Sequence, residues 1–122
     1  VVVERTNIRH MKKDALPRPV DLAVIDVSFI SLKIVVPAAA GFLRPGGKIL
    51  ALVKPQFEVG RGKVGKGGVV RDSSLHWEVV QELTAFFDQA GFVSQGVHPS
   101  ALLGPKGNRE FFALLHRKEL RA

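Results

Sequence analysis

Cysteine is absent from this sequence of 122 residues, and methionine and tryptophan occur only once each. The lack of cysteine excludes disulfide scaffolds and thiolate metal sites, and it is compatible with a reducing compartment. The sequence also lacks any apolar run of about 18 residues, which is the length that a membrane-spanning helix requires. We therefore expect a globular, cytoplasmic protein.

Acidic residues are scarce relative to basic ones: 11 Asp and Glu stand against 18 Lys and Arg, so the net charge is +7. This excess favours a polyanionic partner, and nucleic acid is favoured over a membrane surface because no basic amphipathic helix is present. A solvated basic surface without a partner is the alternative. No metal site is predicted, because the histidines lack the spacing of metal ligands: His10, His76, His98 and His116.

The chain is long enough for one domain, and 46% of its residues are hydrophobic. It begins with "VVVERTN", which contains no initiator methionine and no signal-peptide pattern, and which already lies in a strand-like run. We therefore expect the chain to be part of a longer protein.

Alternating strand and helix patterns predict an α/β fold. The runs "VDLAVIDVSF" and "KILALVKP" are typical of buried parallel strands. Further strands are predicted at Val1–Val3, at "FVSQGVHPS" and at "EFFALLHRK". The order of strand, helix, strand, loop, helix, strand, turn and strand implies a mostly parallel sheet with right-handed crossovers and a final antiparallel strand.

Two helices are predicted between these strands. The first, "LKIVVPAAAGFL", begins at Ser28 or Ser31, and Pro37 either kinks it or marks a second start. The second begins at Asp72 or Ser73, carries an apolar stripe and ends at a glycine. We interpret its aromatic residues as packing on the helix face rather than as a platform for base stacking: Trp77, Phe86 and Phe87.

The stretch "GRGKVGKGG", from Gly60 to Gly68, is one residue short of the phosphate-loop pattern of nucleoside triphosphatases. That loop needs a strand directly before its first glycine and a Ser or Thr after its lysine. Here "QFEV" intervenes and Gly67 follows Lys66, so a triphosphatase is excluded. We predict instead that basic residues of the loop contact nucleic-acid phosphates: Arg61, Lys63, Lys66 and Arg71. A surface loop without a ligand is the alternative.

Polar residues stand at the ends of the predicted strands, where ligands of open α/β sheets bind. Asn7 follows the first strand, and Asp26 ends an otherwise apolar run, where it is either functional or a helix cap. Lys54 lies between "LALV" and a proline, so its ammonium must reach solvent or meet an anion. Glu110 opens the last strand and by itself is typical of an edge charge.

Four segments together resemble a known family: "IDVSFISL", "LALVKPQFEVGR", "GGVVRD" and "GPKGNREFF". They look like the C-terminal part of the TlyA/hemolysin-A family, within the FtsJ-like RNA 2′-O-methyltransferases. The resemblance covers residues 1–122. It implies the C-terminal portion of a Rossmann-like S-adenosylmethionine-dependent methyltransferase domain that acts on ribosomal RNA.

Parts of that family's pattern are missing from the 122 residues. They are the first strands, the glycine-rich loop that holds the cofactor, the first lysine of the catalytic tetrad and the N-terminal RNA-binding domain. We therefore expect the 122 residues alone to be inactive, and to self-associate through an exposed strand edge.

The resemblance also implies residue roles. The family uses a Lys-Asp-Lys-Glu tetrad, whose last three members match Asp26, Lys54 and Glu110. A lysine beside a ribose 2′-hydroxyl can stabilise the developing alkoxide, while carboxylates orient the lysine. Asn7 matches the residue that meets the adenine amino group of S-adenosylmethionine, beside the Ile8 amide, and Asp26 also borders the cofactor. The residues expected to bind RNA are Arg61, Lys63, Lys66, Arg71 and Lys106.

Two other readings stay open. Asp26 to Phe29, "DVSF", is a variant of the Asp/Asn-Pro-Pro-aromatic motif of amino-methyltransferases, which would make the target a base nitrogen. The missing prolines count against it, as do Lys54 and Glu110, because a nitrogen nucleophile has no hydroxyl to activate. The other reading is a non-catalytic basic RNA-binding or haemolysin-type module, which has no need of Asp26.

Overall fold

The computed structural model describes residues 7–60, 64–65, 68–101, 103–104 and 107–118. Four strands and two α-helices follow one another there as β1 (Val20–Ile25), α1 (Leu32–Ala40), β2 (Leu43–Val53), α2 (Ser73–Gln89), β3 (Phe92–Pro99) and β4 (Phe111–Arg117). Short 3-10 turns occupy Ile8–His10, Lys13–Ala15 and Pro55–Phe57. The predicted strand at Val1–Val3 lies outside the described residues.

The strands form one sheet in the order β1-β2-β4-β3. β1 and β2 are parallel, and β4 is antiparallel to both β2 and β3. Three strands therefore share a direction and the last one opposes them, which confirms the predicted mostly parallel sheet with a final antiparallel strand. This is a Rossmann-like arrangement, in which α1 and α2 are the crossover helices.

Helix α1 begins at Ser31 rather than at Ser28. The Ser31 hydroxyl accepts a hydrogen bond from the Lys33 amide at 3.0 Å, which satisfies one of the unpaired donors of the first turn. The helix runs without a break through Pro37. Proline at this position removes only one helical hydrogen bond, and the neighbouring Val35 and Val36 are buried, so packing against the sheet outweighs that loss.

Helix α2 follows the predicted pattern closely. The carboxylate of Asp72 accepts hydrogen bonds from the amide and hydroxyl of Ser74, at 2.9 and 2.7 Å, and these bonds lower the pKa of Asp72. An apolar stripe of Val79, Leu83 and Phe87 is buried. Gly91, with φ of 96°, then allows the chain to turn into β3.

Both helices cover the same face of the sheet. Their buried side chains join one core with alternate strand residues, among them Ile49, Ala51 and Leu115. The cross-strand pairs place a second apolar set on the opposite face, where no helix of the described segments packs. Val24 is 68% exposed there. The members of this open face are Leu22, Val24, Leu50, Leu52, Val93, Phe112 and Leu114.

Among the helices described, none has the length and apolarity that crossing a lipid bilayer demands.

Candidate active site

Asp26 and Lys54 meet at the carboxyl ends of neighbouring parallel strands. Each directly follows its strand, β1 or β2, so the topology carries both side chains to the same edge of the sheet. The Lys54 ammonium lies 2.6 Å from the Asp26 carboxylate, and the Lys54 side chain is only 11% exposed. It also donates to the Ser28 hydroxyl at 3.3 Å. A lysine so enclosed requires such partners, because an unpaired buried charge is costly.

Glu110 directly precedes β4, the strand that pairs with β2. Val53 pairs with Phe111 in the β2–β4 ladder, so the next rung sets Lys54 opposite Glu110. Glu110 is 6% exposed, and its carboxylate accepts a hydrogen bond from the Gln56 side-chain amide at 3.1 Å. Within the described part of the chain, no ion pair joins Lys54 to Glu110. The structure thus brings Asp26 and Lys54 into contact and holds Glu110 beside them through a different partner.

The segment that leads into β4 encloses Glu110 tightly. A Cβ atom added to Gly104 would collide with the Glu110 carboxylate, so this position accepts only glycine without a shift. The amide of Ser100 donates to the Glu110 carbonyl at 2.8 Å. The buried Asn108 side chain accepts from the Val70 amide at 3.0 Å and donates to the Gly68 carbonyl at 3.1 Å. The end of the long loop is therefore fastened to the start of β4.

The chain after β2 braces the loop between β1 and α1. The rings of Phe57 and Phe29 stand 4.8 Å apart. The Glu58 carboxylate accepts hydrogen bonds from the Ser31 hydroxyl at 2.7 Å and from the Leu32 amide at 2.8 Å. Burial raises the pKa of Glu58 above its ordinary value of 4.5, although these bonds partly offset the effect. Glu58 is thus a second cap of α1, contributed by another segment.

Phe29 is presented to solvent in an unusual backbone conformation. Its φ is 63°, a region that large side chains seldom occupy, and its ring is 90% exposed. The residue belongs to the same loop as Ser28, which contacts Lys54. Backbone strain of this kind clusters at functional sites, because it persists only where the surroundings hold it in place.

The expected cofactor residues lie on the Ile8–His10 turn, which packs beside α1. Asn7 is exposed, and its side-chain oxygen accepts a hydrogen bond from the Arg9 amide at 3.0 Å. Ile8 is half-buried against the core. No hydrogen bond joins Asn7 to Asp26 in the segments described.

Arg71 is exposed just before α2. The other expected RNA contacts fall outside the described residues: Arg61, Lys63, Lys66 and Lys106.

Several site residues escaped the sequence analysis. Ser28 was expected to cap a helix but contacts Lys54. The role of Gln56 depends on Glu110, which is 54 positions along the chain, and the role of Gly104 depends on the place that the Glu110 side chain takes in the fold. The only signal in the sequence for Ser28, Gln56 and Gly104 was that they lie in the segments that carry the family resemblance. The interpretation of Trp77 as packing was wrong, because its side chain is 62% exposed, whereas Phe87 is in the core. In the part of the chain that the structure describes, no group of His, Asp and Glu could hold a metal ion.

Comparison with known proteins identifies the family. A family model described as FtsJ-like methyltransferase matches residues 1–117. The chain is 47% identical over its whole length to "16S/23S rRNA (cytidine-2'-O)-methyltransferase TlyA" from Mycobacterium tuberculosis, of which it covers 46%. It is 43% identical to "Putative rRNA methyltransferase YqxC" from Bacillus subtilis, over 95% of this chain and 42% of that protein.

A solved structure agrees with this result. The "Putative hemolysin from Streptococcus thermophilus" superposes with a TM-score of 0.89 at 43% identity, over 93% of this chain and 42% of that chain. The chain therefore spans less than half the length of these relatives. Together with the family match over residues 1–117, this fold and site geometry show that the chain belongs to the FtsJ-like methyltransferase family.

Proposed function

We propose that the protein carrying this chain transfers a methyl group from S-adenosylmethionine to ribose 2′-hydroxyls of ribosomal RNA. The observation that carries the proposal is the contact of 2.6 Å between the Lys54 ammonium and the Asp26 carboxylate, in a chain of the FtsJ-like methyltransferase family. Related proteins whose names specify rRNA cytidine 2′-O-methylation support the substrate class. Such a substrate places the protein in the cytoplasm.

Lys54 is the group that acts on the ribose hydroxyl. An ammonium has three N–H donors, and Asp26 and Ser28 orient two of them. The third can donate to the 2′-oxygen and stabilise the negative charge that develops on it as the hydroxyl proton passes to solvent water, before the oxygen bonds to the methyl carbon. Low exposure of Lys54 strengthens this interaction, because less water competes with it. Glu110, fixed by Gln56, adds a second negative charge near Lys54.

The residues present fit one side of the cofactor. Asp26 directly follows β1 at the carboxyl end of the sheet, where its side chain is exposed, so a ligand can approach it there. The Asn7 amide keeps its N–H donors and a second lone pair for adenine, and the first amides of a 3-10 turn, such as that of Ile8, lack a partner within the turn. When bound, S-adenosylmethionine supplies a methyl group on a sulfonium that the substrate oxygen displaces.

We further propose that residues 1–122 are the C-terminal part of the methyltransferase domain. The remaining strands would pair with β1, and further helices would cover the open face. Substrate binding would draw on basic residues around the site, because each phosphate contact adds electrostatic affinity. These residues are Arg61, Lys63, Lys66, Arg71 and Lys106.

Methylation of a base nitrogen is the second candidate, and Phe29 is the observation that favours it. An exposed ring in the position of the aromatic residue of the amino-methyltransferase motif could stack on a target base. The Lys54–Asp26 contact counts against this candidate, because base nitrogens need no stabilised alkoxide. The two candidates differ in their product, and one assay separates them.

The test is methyl transfer by the full-length protein to ribosomal RNA, with the product nucleosides identified by mass spectrometry. We expect 2′-O-methylnucleosides, and a loss of about 100- to 1,000-fold in turnover for Lys54→Ala. Binding of S-adenosylmethionine should stay within a few-fold of wild type. The matched control is Lys48→Ala, an exposed lysine of the same strand and face, which should retain activity. Unchanged turnover of Lys54→Ala would refute the role of Lys54, and a base-methylated product would favour the second candidate.

A further inference from the structure

A groove of about 600 Å³ lies between the first turns of α2 and the adjoining ends of β3 and β4. Apolar side chains line it, among them Val80, Val97 and Phe111, and its lining includes no acidic residue. Trp77 and Arg109 are its exposed aromatic and cationic members. Its size falls within the range of roughly 300–1,000 Å³ typical of small-ligand sites.

Trp77 forms an exposed wall of the groove on a rigid support. The indole is 62% exposed although its helix packs firmly against the sheet. The neighbouring His76 ring is held by a hydrogen bond of 2.7 Å between its Nε2 and the Val70 carbonyl, and by an edge contact with Phe111 at 5.9 Å. Because the floor is fixed by these contacts, a flat ligand would bind without ordering that part of the groove first.

Arg109 supplies the positive charge of the groove. Its guanidinium makes one long hydrogen bond, of 3.5 Å, to the Ser100 carbonyl. Among the described residues it forms no salt bridge with a carboxylate. A guanidinium has five N–H donors in a planar fork that matches phosphate oxygens, so most of this capacity can serve a ligand.

The groove adjoins the candidate active site. Arg109 directly precedes Glu110, and Phe111 pairs with Val53, the residue before Lys54. Strand β4 begins at the edge where β1 and β2 end, because it runs in the opposite direction. The groove and Lys54 therefore lie at the same end of the sheet. Because successive residues of a strand alternate, the groove residue Phe111 faces the helices and Lys54, which follows Val53, faces the opposite side.

We propose that this groove binds an unpaired nucleotide of the RNA substrate that flanks the methylated one. The base stacks on the Trp77 indole above the apolar floor, and a neighbouring phosphate pairs with Arg109. Single-stranded RNA is recognised by this combination of aromatic stacking and cationic phosphate contact. The positive charge of the groove and the net charge of +7 favour a polyanion. The exposed Trp77 indole favours RNA over an acidic peptide, because the peptide has no bases to stack. The inference rests on the proposed function.

The experiment titrates the full-length protein with an unstructured oligoribonucleotide of about six nucleotides, while tryptophan fluorescence and the anisotropy of labelled RNA are recorded. We expect RNA to quench fluorescence, and Trp77→Leu to abolish that part of the signal. Trp77→Leu should weaken binding about 10-fold or more. Arg109→Gln should weaken binding and reduce the salt slope by about 1.

Two variants serve as matched controls. Gln89→Leu places a leucine on an exposed site at the far end of α2, and Arg44→Gln removes an exposed cation at the opposite end of the sheet. Thermal unfolding followed by circular dichroism verifies that all variants fold. Equal RNA affinities of Trp77→Leu and Gln89→Leu would overturn the proposal. Quenching by an acidic peptide but not by RNA would overturn it in favour of a protein ligand.

Methyl transfer measured on the same preparations separates this inference from the proposed function. If Trp77→Leu and Arg109→Gln show normal 2′-O-methylation and unchanged RNA binding, the groove proposal is overturned and the proposed function stays intact. If the wild type shows no methyl transfer but the two groove variants selectively lose RNA binding, the groove proposal is supported and the proposed function is overturned.

Discussion

The place of the Glu110 carboxylate depends on a glycine, Gly104. The Glu110 carboxylate fills the space where a side chain at Gly104 would lie, and Gln56 holds one of its oxygens. The side chain has little room to move, because Glu110 is buried among these neighbours. The glycine therefore fixes the place of the carboxylate without contacting Lys54.

At the residue scale, we predict that Gly104→Ala displaces the Glu110 carboxylate and lowers methyl transfer about 10-fold or more in the full-length protein. A misplaced charge no longer supports Lys54, and the added methyl group costs about 1–3 kcal/mol of stability through overpacking. The measurements are turnover and thermal unfolding. The matched control is Gly60→Ala, where an added Cβ atom meets nothing within 4 Å. Equal activity of the two variants would contradict the positioning role of Gly104.

At the element scale, the start of α1 depends on a segment from beyond β2. Ser31 caps the helix from within its own sequence, and Glu58 caps it from the chain that follows Lys54. Because Phe57 also packs against Phe29, the two loops that carry Asp26 and Lys54 are joined at three neighbouring points. The fixed geometry of the Lys54–Asp26 contact follows from this bracing.

Glu58 makes the stability of this junction depend on pH. Burial raises the pKa of Glu58 in the folded protein above its ordinary value of 4.5, so the folded state binds the proton more tightly than the unfolded state. The contribution of Glu58 to the free energy of unfolding is therefore present below pH 4.5 and is lost as the pH rises through the pKa that Glu58 has in the folded protein.

We predict that Glu58→Gln abolishes this fall in the free energy of unfolding, because the amide carries no titrating charge. Its oxygen can still accept from the Leu32 amide, and its NH2 group can donate to the Ser31 hydroxyl. Urea unfolding at pH values from about 4 to about 7 measures the effect. Asp88→Asn is the control, since Asp88 is an exposed carboxylate that pairs with Lys118. Parallel pH profiles of Glu58→Gln and the wild type would show that burial of Glu58 has no energetic consequence.

At the scale of the whole molecule, the sheet has two unequal faces, and each of its outer strands, β1 and β3, has a single paired neighbour among the described residues. Helices α1 and α2 bury one face, while the open face presents mainly aliphatic side chains. β1 stands at the border of the sheet and has β2 as its one partner among the described residues. An apolar edge next to an apolar face is a template for pairing with another chain.

We predict that the 122 residues expressed alone self-associate and bind S-adenosylmethionine negligibly. Val24→Lys, which puts a charge on the exposed side of β1, should shift the particles toward monomers in light scattering. The control is Leu103→Lys, an exposed apolar residue outside the sheet. Tight binding of S-adenosylmethionine by a monodisperse monomer, measured by calorimetry, would contradict the prediction.

The sequence by itself determined the element order, the sheet direction and the motif residues. Continuous apolar runs marked β1 and β2 as strands, and a capped apolar stripe marked α2, because these signals depend on residues close together in the chain. The prediction that β1 is buried was wrong, because Leu22 and Val24 are exposed on the open face of the sheet. Asp26 and Lys54 could be singled out because the carboxyl ends of parallel strands must meet at one edge. The family resemblance, which rested on quoted segments, is confirmed by the match over residues 1–117.

Only the tertiary structure decided which side chains hold the site together. Gln56 and Glu110 are separated by 54 positions, and Glu58 and Leu32 by 26, so no local pattern could connect them. The exposure of Trp77 likewise depends on how far α2 overhangs the sheet, which helical periodicity does not specify. Local preferences set the elements, but packing of distant segments sets the contacts, because burial is a property of the assembled fold.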